Sequence, residues 1–140
     1  MTDGVLRQFL CDVYAGRKLK RRSTGSAARG VGGSPHVSIS NLILRPGTTP
    51  AADLEKLDRG LYVTELMGFG FNAVTGDYSQ GAAGFWLEGG ARAYPVGEIT
   101  ISINFDALWK SIDAVGDDLD TRSSVQCPSF RVPNVMIAGS

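Results

Sequence analysis

The sequence predicts an α+β domain: a mostly antiparallel β-sheet of short strands with two or three helices. Three observations carry that prediction. Glu98 to Ile103 (EITISI) alternates Ile99, Ile101 and Ile103 with Thr100 and Ser102, the period of a strand with one buried face. Gly89-Gly90 stands between two β-rich runs, the signal of a two-residue hairpin turn. Helical periodicity appears in only a few short windows, and most connections are short enough for hairpins.

Taken in order, Val5, Leu6, Phe9, Leu10, Val13 and Tyr14 recur at helical spacing and predict a helix from about Val5 to Leu19. Val5–Cys11 is also short and apolar enough for a strand, and periodicity does not choose between the two. Ser23 to Pro35 (STGSAARGVGGSP) is small, glycine-rich and aperiodic, and reads as a loop. His36 to Leu44 reads as one strand with a bulge near Asn41. Thr48 or Thr49 is expected to cap a short helix that has Pro50 in its first turn and stops at Gly60. Leu61–Leu66, Ala82–Glu88 and Ala91–Val96 follow as strands, with Pro95 placing that end of its strand at an edge or bulge. Asn104 is expected to cap a helix carrying Leu108, Ile112 and Val115 and ending at Gly116. Asp117–Ser124 is a polar loop, and two strand pieces flank Pro133-Asn134.

The chain has 140 residues, the length of one domain, and 14 basic and 14 acidic side chains. Zero net charge argues against nucleic acid as a global electrostatic partner. The cluster Arg17, Lys18, Lys20, Arg21 and Arg22 reads as a solvated helix end, with a polyanion-binding patch as the alternative. Two distant cysteines, Cys11 and Cys127, suit a reducing compartment. No run approaches a membrane span, and Asp3 and Arg7 interrupt the first apolar run, so a cytoplasmic location is expected.

The catalytic inventory is thin. His36 is the one histidine, and no HExxH, CxxC or GxSxG is present. GVGG lacks the Lys-Ser/Thr ending of a phosphate-binding loop. Asp117, Asp118 and Asp120 lack the glycine and terminal glutamate of a calcium loop and read as a solvated turn. Cys127 is either a small buried apolar residue or a nucleophile in need of a base. Glu65 and Asp77 flank the glycine-rich stretch Met67–Trp86, where a carboxylate can serve a site; a capped turn at Asp77 is the equal alternative.

Three segments then stand out: GLYVTELMGFGFNAVTGDYSQGAAGFWLEGG, YPVGEITIS and VGDDLDTRSSVQCPS. Together with the upstream GVLRQFLCDVYAGRKL, STGSAARG and NLILRPG, they resemble the C-terminal domain of the TldD/PmbA (TldE) family, in order and over nearly the whole chain. The form of VTELMGFGFNAVTGDYS and RSSVQCPS is similar to the PmbA/TldE branch. The resemblance implies residues 1–140 as that C-terminal domain, without the family's N-terminal domain and mid-region. With Met1 just before the GVL segment, the chain is expected to be a truncated product or a separately encoded domain.

The resemblance further implies a heterodimer of related subunits that degrades or matures unstructured peptides. Zinc is expected in a TldD-type partner, on an HExxxH helix plus a cysteine near the C-terminus, and not in this chain. Cys127 matches the position of that cysteine, but the histidines and the general-base glutamate are missing here. No catalytic or metal residue is therefore assigned. The candidate cleft comprises Glu65, Gly68, Gly70, Asp77 and Cys127. Expected partners are a TldD-type subunit, or a second copy of the chain, and an unfolded peptide, with no nucleic acid and no membrane. The rival readings are a stand-alone hydrolase built on Cys127 and a peptide-binding or assembly module without protease activity. Two departures from the family pattern are Ser26, where asparagine is usual, and Ile103, where glycine is common; a β-branched residue there is strained if its φ is positive.

Overall fold

Gly89 and Gly90, at φ 57° and 81°, form the tight turn of the central hairpin. In the computed structural model, which describes residues 5–139, the elements in chain order are α1 (Val13–Lys18), β1 (Ala27–Ala28), β2 (His36–Val37), β3 (Leu42–Ile43), α2 (Ala51–Leu54), β4 (Arg59–Met67), β5 (Asp77–Glu88), β6 (Ala91–Asn104), α3 (Phe105–Ser111), β7 (Ala114–Val115), β8 (Val125–Gln126), β9 (Phe130–Arg131) and β10 (Met136–Ala138). The mostly antiparallel α+β class is as the sequence predicts. The residues form two compact units, Met1–Ile43 with Thr121–Gln126, and Leu44–Asp120 with Cys127–Ser140.

In the first unit the expected long helix shrinks to the six residues of α1. The Asp12 carboxylate accepts from Ala15 N at 2.6 Å and so starts the helix at Val13. Residues ahead of it are held otherwise, because Cys11 N donates to Thr24 Oγ1 and Thr24 N to Cys11 O. Lys20, at φ 51°, turns the chain away after the helix. This local capping overrides the apolar spacing upstream. The single strand expected over His36–Leu44 is instead two pieces: β2 pairs antiparallel with β1, and β3 pairs parallel with β8. Ser26 hydrogen-bonds Thr24 through their hydroxyls at 2.8 Å.

The second unit is built on a sheet in the order β10-β6-β5-β4, all pairs antiparallel. Its strands run longer than the pattern suggests, and the two runs expected on either side of Gly97, Ala91–Val96 and Glu98–Ile103, are one continuous β6. Bulges explain how. Tyr94 pairs with Trp86 and Arg92 with Leu87, leaving Ala93 as the extra residue. Gly97 and Glu98 oppose the single Ala83, and Glu98 takes φ 55° at that kink. Pro95 pairs with Phe85 on one side, while β10 reaches only Thr100–Ser102 on the other, so Pro95 lies where its missing N–H is harmless. Ile103 is an ordinary strand residue opposite Tyr78, and no positive φ strains it. Leu54, Ala82, Leu87 and Ile99 are buried and form the core.

Two helix boundaries differ from expectation. Pro50, without a side-chain cap, precedes α2, which stops after four residues; Gly60 lies inside β4, and Thr49 pairs with Gly116. α3 begins at the Asn104 cap as expected but ends before Val115, which belongs to β7 and pairs with Phe130. The Asp113–Arg131 ion pair at 2.8 Å, with Asp113 N donating to Arg131 O, draws the chain into that pairing. Asn134, at φ 58°, turns between β9 and β10.

Candidate functional site

Three of the five candidate cleft residues, Gly68, Gly70 and Asp77, lie in one hairpin that links β4 to β5. Ser79 N donates to Gly70 O at 2.8 Å, and Asn72 N donates to Asp77 O at 2.8 Å. Asn72 Oδ1 accepts from Val74 N and Thr75 N, an Asx turn that shapes the tip. Gln80 Nε2 donates to Gly68 O at 2.8 Å and closes the other end. Gly70 permits a close approach, since a Cβ there would run into the Ser79 carbonyl.

Asp77 is committed to this architecture. Asn104 Nδ2 donates to Thr75 O at 3.1 Å and lies 3.4 Å from Asp77 Oδ1, while Asn104 Oδ1 caps α3 through Asp106 N at 3.1 Å. One amide thus ties the hairpin tip to the start of α3. The helix-capping half of this arrangement is legible in sequence; the half that reaches back 27 residues is not.

An aromatic row runs away from the hairpin. Phe71 lies 4.8 Å and Tyr78 5.8 Å from the Phe105 ring. Phe105 meets Trp109 edge-on at 5.7 Å, and Trp109 stacks on Phe130 at 6.4 Å. Burial pushes the Tyr78 phenol up, so it stays protonated and neutral. Phe85 sits beneath the Arg92 guanidinium at 5.4 Å. Phe69, in the same glycine-rich stretch, is fully exposed.

Glu65 stands apart from the hairpin tip. It lies on β4, exposed, next to a bulge at Thr64 where the register to β5 shifts. β4 is the end strand of its sheet, and among the described residues its outer edge pairs with no other strand. Such an edge offers main-chain donors and acceptors to an extended chain.

Cys127 belongs to a third cluster. It pairs with Asp120 in an isolated antiparallel bridge, and its thiol donates to Pro128 O at 3.2 Å. Burial raises the thiol pKa, and the negative charge of Asp118 raises it further, so the thiolate is disfavoured. Burial also works against ionisation of Asp118, but hydrogen bonds from Ser129 Oγ at 2.6 Å and Ser129 N at 3.0 Å outweigh it and hold the carboxyl below its ordinary range. No group of three or more His, Cys, Asp or Glu side chains among the described residues is arranged to hold a metal ion. Among the described residues Cys127 has only Asp118 as a nearby potential ligand, and that carboxylate is engaged by Ser129, so these side chains fall short of the three or four ligands a zinc ion takes. His36, the one imidazole, is in β2 of the other unit.

These features define a glycine-shaped, aromatic-backed hairpin at the end of an edge-exposed antiparallel sheet. The family model for the PmbA/TldA metallopeptidase C-terminal domain matches residues 1–139, and the chain belongs to that family. The metalloprotease PmbA of Escherichia coli O157:H7 is 47% identical over 137 residues, covering 98% of this chain and 29% of that protein. The PmbA homologue of Haemophilus influenzae is 41% identical over 140 residues, covering 99% of the chain and 29% of the relative. A crystal structure described as a modulator of a DNA gyrase, from Thermotoga maritima, superposes with a TM-score of 0.83 at 37% identity, covering 96% of this chain and 31% of that one. The chain thus spans somewhat under a third of the length of these relatives. No helix among the described residues is long and apolar enough to cross a membrane.

Proposed function

We propose that the chain acts as the C-terminal domain of a PmbA/TldE-type subunit in a cytoplasmic zinc metalloprotease complex that degrades or matures unstructured peptides. The observation that carries this reading is the 47% identity to a metalloprotease PmbA across 98% of the chain. In this reading a TldD-type partner supplies zinc and this chain supplies shape and peptide contact. A second copy of the chain is the alternative partner. The open edge of β4, beside the glycine hairpin, supports the peptide-contact half of the reading, since main-chain pairing accepts many sequences.

The test measures zinc content and cleavage of an unfolded peptide for the chain alone and after addition of a TldD-type subunit. Cleavage and stoichiometric zinc only in the presence of the partner are the expected result. Cleavage with bound zinc by the chain alone overturns it. Peptide titration that leaves the amide signals of Gly68–Gly84 unmoved removes β4 and its hairpin from the contact surface.

A further inference from the structure

Zero net charge conceals a division between the two units. Met1–Ile43 with Thr121–Gln126 holds eight of the 14 lysines and arginines but only two of the 14 acids, Asp3 and Asp12. The other unit holds the remaining six cations and 12 acids. The first unit therefore carries an excess of six positive charges, and the second an equal negative excess. Charge this uneven between two parts of one chain marks a surface for an oppositely charged partner.

Two of the eight cations of the basic unit, Arg21 and Arg22, line an open cavity of about 340 Å³ together with Gln8, Phe9, Cys11, Ser23 and Thr24. Its wall is fixed. The carbonyl of Cys11, a residue only 1% exposed, accepts from Thr24 N at 2.9 Å, Thr24 Oγ1 at 3.0 Å and Ser23 Oγ at 3.2 Å. Arg21 N donates to Gly16 O at 2.8 Å, and Gly16 is buried where a Cβ would lie 2.9 Å from the Arg21 carbonyl. The Arg21 guanidinium rests over the Phe9 ring at 5.7 Å, which orients its fork before any ligand arrives. Among the described residues no ion pair neutralises Arg21 or Arg22, whereas four cations of the acidic unit are each paired with a carboxylate.

We propose that this cavity binds the carboxylates of an acidic, extended peptide, with Arg21 and Arg22 as the charge-assisted donors. The inference rests on the peptide-processing reading above and names the class of peptide. A carboxylate suits a pre-oriented guanidinium fork. The apolar part of the wall, Phe9, suits an aliphatic stem beside it. A nucleic acid strand is the less favoured ligand. It asks for a track of phosphate sites along a groove, whereas this cavity presents two cations, Arg21 and Arg22.

The experiment titrates the full chain, without a partner subunit, with a labelled ten-residue glutamate-rich peptide. A neutral peptide, a lysine-rich peptide and a ten-nucleotide single strand of DNA serve as comparisons. Selective binding of the acidic peptide is expected, weakening as salt rises, with amide shifts at Gln8–Cys11 and Arg21–Thr24. The double variant Arg21→Gln/Arg22→Gln is expected to lose about tenfold or more in affinity, the scale of a lost charge-assisted hydrogen bond. Arg21→Lys/Arg22→Lys, which keeps the charge and the fold, is expected to retain part of it, while Lys56→Gln/Lys110→Gln in the acidic unit leaves affinity unchanged. Equal binding by the wild-type chain and a folded Arg21→Gln/Arg22→Gln variant overturns the proposal, as does tighter binding of DNA than of the acidic peptide. Because no cleavage is measured, such a failure leaves the proteolytic reading standing, and the two failures are told apart by whether peptide binding or partner-dependent cleavage is lost.

Discussion

Gly70 and Ser79 face each other so closely that Ser79 N bonds to Gly70 O at 2.8 Å, while a side chain on Gly70 would occupy the place of the Ser79 carbonyl. The same relation recurs between Gly84 and the Tyr62 carbonyl. Both glycines sit where the backbone of one strand or turn leans on another, so the contact is with main chain that cannot rotate aside. Gly70→Ala is expected to destabilise the chain by ~1–3 kcal/mol, the usual effect of forcing atoms into a filled site. Urea unfolding at constant m-value measures it. If Gly70→Val spares both stability and partner-dependent cleavage, the hairpin has no such constraint.

Asn104 serves the hairpin and α3 together. Asn104→Ala removes the cap on Asp106 N and the donor to Thr75 O, and is expected to lower stability by ~1–2 kcal/mol. Asn104→Ser keeps a capping oxygen but cannot reach back as a two-proton donor, so it is expected to recover only part of the loss. Full recovery by serine would show that the tie to the hairpin contributes nothing.

Glu55 and Arg92 form a two-armed ion pair, with both N···O distances at 2.6 Å, and the guanidinium lies 4.2 Å from the Tyr62 ring. The hydrogen bond from Arg92 lowers the Glu55 pKa against a smaller opposing effect of burial. The Asp113 carboxyl is lowered in the same way by Arg131. A lowered carboxyl pKa contributes stability at neutral pH, and that contribution is lost as pH falls through the folded-state value. The coupling in a Glu55→Gln/Arg92→Gln double-mutant cycle is therefore expected to be favourable at pH 7 and to fade below about pH 4. Arg92 is exposed and Glu55 only partly buried, so high salt is expected to shrink it too. A coupling near zero at pH 7 would mean that stacking on Tyr62, and not the charge pair, holds Arg92.

Cys127 is expected to be a slow thiol. Burial and the charge of Asp118 both disfavour its thiolate, so alkylation at pH 7.5 should lag behind that of a free cysteine and accelerate as pH rises. Cys11, almost completely buried, should react only on unfolding. Mass spectrometry of labelled peptides over a pH series distinguishes the two. Cys127→Ala is expected to leave partner-dependent cleavage within about twofold of the parent, consistent with an ordinary buried-surface change. A large loss would give Cys127 a chemical role that its surroundings do not suggest.

Features that depend on neighbouring residues are legible along the chain. Alternation in EITISI marked β6, Gly89-Gly90 marked the hairpin turn, Asn104 marked the start of α3, and Pro133-Asn134 marked the turn before β10. The long in-order motifs marked the family. Where local rules compete, long-range pairing settles the outcome. Apolar spacing from Val5 suggested one long helix, but Asp12 capping and the Cys11–Thr24 bonds confined it to Val13–Lys18. His36–Leu44 looked like one strand, yet its two ends pair with segments far apart in the chain, β1 and β8. Bulges at Ala93 and at Gly97-Glu98 let one strand continue through Pro95, and their positions are set by the partner strand. The candidate cleft divided for the same reason. Gly68, Gly70 and Asp77 are neighbours in sequence and meet in one hairpin, whereas Glu65 and Cys127 fall in separate surroundings. Charge, by contrast, is divided along the chain itself: residues 1–43 hold seven cations and two acids, and folding adds only Arg122 to that basic unit. Propensity and capping act over a few residues and can be read along the chain. Register, bulge position and the company a side chain keeps are set by strands that the sequence does not place side by side.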